Sequence, residues 1–139
     1  VPFIDDVIVR PELLPEFLPA LDAILAPHRD KMVYTIAGHA GDGNFHIIPL
    51  MDLKDPAARA LLPEIAEKVY NLTVHYGGSI TAEHNDGLIR TPYLLMMYGK
   101  EICDLFRETK NIFDPRAIFN PRKKVGATIE YVFNHVSKS

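Results

Sequence analysis

The chain has little sulfur and no tryptophan: of its 139 residues, one is cysteine, Cys103, and four are methionine. A single cysteine excludes an internal disulfide and any zinc or iron–sulfur site built from cysteines of this chain. No apolar run reaches the roughly 18 residues that a membrane span requires, and no signal peptide is visible. Nor is there an excess of positive charge. Fifteen Lys and Arg against eighteen Asp and Glu give a net charge of -3, so the basic footprint of a nucleic-acid-binding protein is missing. No glycine-rich phosphate loop opens a helix after a strand, so the chain is not expected to hold a nucleotide by itself. These absences fit a cytoplasmic protein. Val1 is not a translation start, and the chain is expected to be part of something longer.

What is present suits one ordinary globular domain, with 47% apolar and 24% charged residues. Phe3 to Val9 reads as a short strand. Leu14, Phe17, Leu18, Leu21, Ile24 and Leu25 then recur at helical spacing, with Pro19 predicting a kink or a late start. Met32–Ile36 and Phe45–Leu50 are strand-like runs around Gly38 to Asn44, and Asp42-Gly43 is a hairpin signal. Asp55-Pro56 opens a second helix that Gly77-Gly78 stops. A polar stretch over 79–88 precedes a third helical segment, 92–111, predicted in two pieces around Gly99. This order predicts an α+β two-layer sandwich, a ferredoxin-like antiparallel sheet with helices on one face and a C-terminal helical extension.

The hairpin carries the chemistry. A two-residue Asp42-Gly43 turn would pair Gly41 with Asn44 and His39 with His46. Directly opposed residues share a face with Cβ atoms roughly 5 Å apart, close enough for two imidazoles to hold one metal ion. Two histidines alone are more simply explained as strand-end caps, so a third ligand is needed. Glu83-His84 is the candidate, in a polar segment that could fold over the hairpin. Neighbouring side chains of an extended segment diverge, so Glu83 is assigned as ligand and His84 as the base beside it. Arg90 could pair with a substrate carboxylate, although a surface salt bridge is as good an account. His28, His75 and His135 read as solvated or capping residues, and Asp42 as a turn residue.

Three blocks together resemble the C-terminal domain of FAD-linked oxidases of the vanillyl-alcohol-oxidase type, and within it the D-lactate, glycolate and D-2-hydroxyglutarate dehydrogenases. They are Gly38-His39-Ala40-Gly41-Asp42-Gly43-Asn44-Phe45-His46, Gly78-Ser79-Ile80-Thr81-Ala82-Glu83-His84, and Phe113-Asp114-Pro115 through Phe119-Asn120-Pro121. The resemblance implies that residues 1–139 are the substrate-capping part of a flavoenzyme that oxidises a D-2-hydroxy acid. It implies His39, His46 and Glu83 as ligands of a zinc or manganese ion, and His84 as the base that takes the hydroxyl proton. Asn120 falls where the family's tail approaches the flavin. FAD would be bound mainly by another domain of the same full-length protein, so this chain alone is expected to be inactive. Two positions depart from the pattern. Ile48 stands where many relatives have an asparagine that touches the substrate, which leaves the particular acid open. Asn85 follows His84 where many have glycine, as in large members fused to an iron–sulfur module, whose cluster would need cysteines outside this chain. Any membrane association would be peripheral, through an electron acceptor. The alternatives are a stand-alone zinc hydrolase using the same three ligands, which the absence of an H-E-x-x-H helix disfavours, and a non-catalytic interaction domain.

Overall fold

The computed structural model of the chain describes residues 2–137. They divide into two compact units: one runs up to His84 and takes in Val136, the other is Asn85–His135.

The first unit holds three strands, β1 (Val7–Ile8), β2 (Met32–His39) and β3 (Asn44–Met51), and two long helices, α1 (Leu14–Leu25) and α2 (Pro56–His75). The sheet order is β1-β3-β2, antiparallel throughout. Beyond β1, Ile8 and Ser79 form an isolated antiparallel bridge, where a ferredoxin-like sheet would place a fourth strand. β1 and β2 thus flank β3 in the expected α+β arrangement. The first strand is shorter than the apolar run Phe3–Val9 predicts, because Asp6 sits in the left-handed region at φ 66 and turns the chain. Phe3 and Ile4 are nonetheless fully buried.

α1 follows a 3-10 turn over Pro11–Leu13 and continues through Pro19, burying Phe17, Leu21 and Leu25 at four-residue intervals. Asp55 caps α2 by accepting from the Ala57 N–H at 2.9 Å, with Pro56 in the first turn, where its missing N–H is harmless. The helix ends in a Schellman motif. Gly77 adopts φ 67, Gly78 N–H donates to Thr73 and Gly77 N–H to Val74. That motif aims the following residues back along β1 toward the hairpin.

The hairpin differs from the expectation. His39 pairs with Asn44, and His46 pairs with Ala37, not with His39. The connection is the four residues 40–43, a 3-10 turn over Ala40–Asp42 closed by Gly43 at φ 70. Gly43 also bonds the residue that follows β1: its carbonyl accepts from Val9 N–H at 3.0 Å. The register moves by two residues, so both histidines keep the face they would have had. That face also carries Val33, Ile48 and Leu50, all exposed, whereas Met32, Phe45 and Ile47 on the other face are buried. A Cβ on Gly43 would lie 1.9 Å from the Val9 carbonyl oxygen. Gly43→Ala is therefore expected to destabilise the protein by about 2–3 kcal/mol, checked by the thermal unfolding midpoint.

The second unit contains α3 (Leu94–Phe113) and α4 (Ile129–Asn134). As predicted, α3 is two pieces, broken at Gly99 with φ 75 and ψ 172. α4, for which the tail gave little signal, is capped by the Thr128 hydroxyl accepting from Tyr131 N–H. Buried Asp86 pairs with Lys124. Asp114 accepts from the N–H groups of Ile118 and Phe119 and from Lys110, which explains a carboxylate after the helix end in the Phe113-Asp114-Pro115 block. Lys110 and those N–H groups hold its carboxyl below the usual range.

Candidate functional site

One end of the first unit gathers four of the six site residues expected from sequence. β2 ends in His39, β3 carries His46, and the loop after α2 supplies Glu83 and His84. Their polar atoms converge on a single oxygen. Glu83 Oε1 lies 3.6 Å from His39 Nε2, 3.0 Å from His46 Nε2 and 3.5 Å from His84 Nε2. Metal–nitrogen bonds of about 2.0–2.1 Å place neighbouring ligands of a tetrahedral ion roughly 3.4 Å apart. The distances from Glu83 to the imidazoles and the donor chemistry both fit a divalent ion. A hollow of about 210 Å³ lined by Ile8, His39, Asp42, Asn44, Ala82 and Glu83 adjoins the cluster.

Two carboxylates absent from the sequence prediction organise this cluster. Asp5 Oδ1 lies 3.2 Å from His46 Nδ1, and Asp5 Oδ2 lies 3.3 Å from His84 Nδ1. The two rings stack at 4.9 Å between centroids and 15° between planes. The His39 ring meets the His46 ring edge-on at 5.7 Å. Although the hairpin register is not the one expected, residues diagonal across two strands still reach each other through long side chains.

Asp6 holds the loop. Its carboxylate, fully buried, accepts from the backbone N–H groups of Ala82, Glu83 and His84 at 2.9–3.1 Å. It also accepts from the Thr81 hydroxyl and from the Asn44 side-chain amide. Burial pushes the Asp6 pKa up, but the bonds from His84, Ala82, Glu83 and Asn44 outweigh it and bring the value from 3.8 to about 2. Asp6, His46, Glu83 and His84 offer ligand atoms within 4.8 Å of one another. Five donors already occupy the Asp6 oxygens, however, so His39 is the better third partner for an ion. A signal for both acids did exist: adjacent carboxylates inside the apolar run Phe3–Val9 must be either exposed or paired.

Arg90 and Asn120 belong to the second unit. Arg90 is buried, and its Nη1 donates to the Asn85 carbonyl at 2.7 Å. Asn120 adopts φ 45, and its Oδ1 accepts from Lys123 Nζ at 3.2 Å. Ile48, at the position where the asparagine was missing, is exposed on the face that bears His46. No helix among the described residues is long and apolar enough to cross a membrane.

The sequence pattern of the C-terminal domain of FAD linked oxidases matches residues 1–124. The chain belongs to that family. This FAD-linked oxidase domain is 34% identical over 123 residues to a D-2-hydroxyglutarate dehydrogenase of Escherichia coli (strain K12), spanning 88% of this chain and 12% of the relative. It is 35% identical over 122 residues to a D-2-hydroxyglutarate dehydrogenase of Pseudomonas putida, with the same coverage of each. Over 86 residues it is 37% identical to the glycolate oxidase subunit GlcD of Bacillus subtilis, spanning 62% of this chain and 18% of that protein. The domain thus spans about an eighth of the length of these two dehydrogenases.

Proposed function

We propose that this FAD-linked oxidase domain is the substrate-binding part of a flavin-dependent dehydrogenase that oxidises a D-2-hydroxy acid to the 2-oxo acid. The observation that carries the reading is the convergence of three imidazole Nε2 atoms on one oxygen of Glu83. His39, His46 and Glu83 would hold a zinc or manganese ion, whose chemistry is to bind and acidify the substrate hydroxyl. FAD, bound mainly by another domain of the full-length protein, would supply the hydride acceptor. His84 then takes the hydroxyl proton on Nε2, the ring nitrogen turned away from Asp5. Arg90 is proposed to meet the substrate carboxylate and Asn120 to approach the flavin. An iron–sulfur cluster, if the full-length protein has one, lies outside this chain, and a cytoplasmic location suits the reading. The activities named for the relatives favour this oxidase over the hydrolase alternative.

The test uses the full-length flavoprotein. It should contain about one zinc or manganese per chain by elemental analysis, lost in the His39→Ala/His46→Ala double variant. D-2-hydroxyglutarate, D-lactate or glycolate should bleach its oxidised flavin absorbance. A flavin that stays oxidised with every 2-hydroxy acid tried overturns the substrate class.

A further inference from the structure

We infer that Asp5 is a positioning residue that sets the tautomer and aim of two histidines at once, His46 for the metal and His84 for the proton. The inference rests on the function proposed above and adds to it a residue that neither the motif blocks nor the hairpin contains.

The argument is one of donors and acceptors. A carboxylate can only accept hydrogen bonds. Asp5 presents one oxygen to each Nδ1, at 3.2 and 3.3 Å. Made as hydrogen bonds, both contacts place the ring proton on Nδ1 and the lone pair on Nε2. Those lone pairs face Glu83 Oε1, itself an acceptor, at 3.0 and 3.5 Å. Acceptors so placed repel one another unless a proton or a metal ion lies among them, and in the neutral rings the tautomer that Asp5 selects is the one a metal ion requires. The same tautomer leaves His84 able to receive a proton. Stacking of the two rings within 15° of parallel keeps both Nδ1 atoms in reach of a single carboxylate. Asp5 is itself held off solvent, with 13% of its side chain exposed, whereas His84 and Glu83 are about half exposed. The part-buried Asp5 and His46 are therefore fixed in direction, and the half-exposed His84 and Glu83 are open to a substrate. Carboxylates behind metal-bound histidines act in this way, and their loss weakens metal binding by about 10–100-fold.

Asp5→Asn separates this role from simple packing. The amide keeps the shape but loses the charge and offers one acceptor and one donor, so it satisfies at most one of the two Nδ1–H groups and holds both rings more weakly. In the full-length flavoprotein, the Asp5→Asn dissociation constant for zinc, measured by competition with a chelator, should rise about 10–100-fold. At saturating metal kcat should remain about 100-fold low while KM changes little, because the His84 defect is not cured by metal. Asp5→Glu, with two acceptor oxygens, should recover part of both. Unchanged metal affinity and unchanged kcat in Asp5→Asn would overturn the inference. So would equal losses in Asp5→Asn and Asp5→Glu accompanied by loss of flavin and a lower unfolding midpoint, the mark of a structural role only. The parent protein judges the underlying reading separately. If it binds no metal or its flavin is not reduced by any 2-hydroxy acid, that reading fails, and the inference with it.

Discussion

Replacing Asp6 with alanine should destabilise the protein by about 3–5 kcal/mol and disperse the site. Five donors lose their acceptor together: the N–H groups of Ala82, Glu83 and His84, the Thr81 hydroxyl and the Asn44 amide. Bonds to a charged group contribute about 1.5–3 kcal/mol each, and a buried donor left unsatisfied costs about 1–3 kcal/mol, so partial rearrangement is already included in the lower figure. Glu83 and His84 depend on these bonds for their position, so metal content should fall with stability. The sign of the pH dependence follows from the same carboxylate. Its pKa is lowered on folding from 3.8 to about 2. The stabilisation, about 2 kcal/mol for a shift of that size, is fully present above pH 3.8 and is lost as pH falls through about 2. Denaturant unfolding between pH 2 and 7 should show this loss, and Asp6→Asn should flatten that part of the profile while lowering stability at neutral pH. A profile for Asp6→Asn parallel to the parent's would refute the assignment.

Turnover should fall by about 10²–10⁴-fold in His84→Gln, the range expected for losing a general base, in full-length enzyme loaded with flavin and metal. Geometry leaves this residue two roles. Its Nε2 is 3.5 Å from the Glu83 oxygen, about the same as the 3.6 Å of His39, so it stands where a fourth ligand could. Measuring metal content beside kcat separates the two. A base gives a slow enzyme that retains about one ion per chain and binds substrate with little change in KM. A ligand gives an enzyme that loses metal and recovers activity as metal is added. The base assignment is expected to hold, because His39, His46 and Glu83 already supply three ligand atoms and the His84 ring is about half exposed. A variant with full kcat would eliminate His84 as a base.

The elements that a local pattern dictates were legible in the sequence. Helical spacing located α1 and α2, Asp55-Pro56 and Gly77-Gly78 marked both ends of α2, and Gly99 marked the break in α3. The four residues that converge at the candidate site were also legible, because glycine-rich segments with His and Glu stand out from ordinary loop composition. What escaped depends on contacts distant in sequence. Asp42-Gly43 reads locally as a two-residue turn, yet the connection is a 3-10 turn closed by Gly43, whose carbonyl bonds distant Val9. Asp5 and Asp6 read locally as strand residues, and only the approach of the 81–84 loop reveals what they accept. α4 lacks a long apolar stripe: of its six residues only Val132 and Phe133 are buried.

Those distant contacts also bear on the order in which the molecule can fold. The bonds that Asp6 makes to the loop bridge 75 to 78 residues of chain, and the contact of Asp5 with His46 bridges 41. Closing such long loops is entropically unfavourable until other contacts have brought the ends near. α1, α2 and the hairpin, built from neighbours in sequence, can form earlier. The centre is thus among the last parts of the first unit to be completed, and its presence reports that the unit is whole. A peptide confined to β2 and β3 would keep both hairpin histidines and lack the oxygen on which they converge.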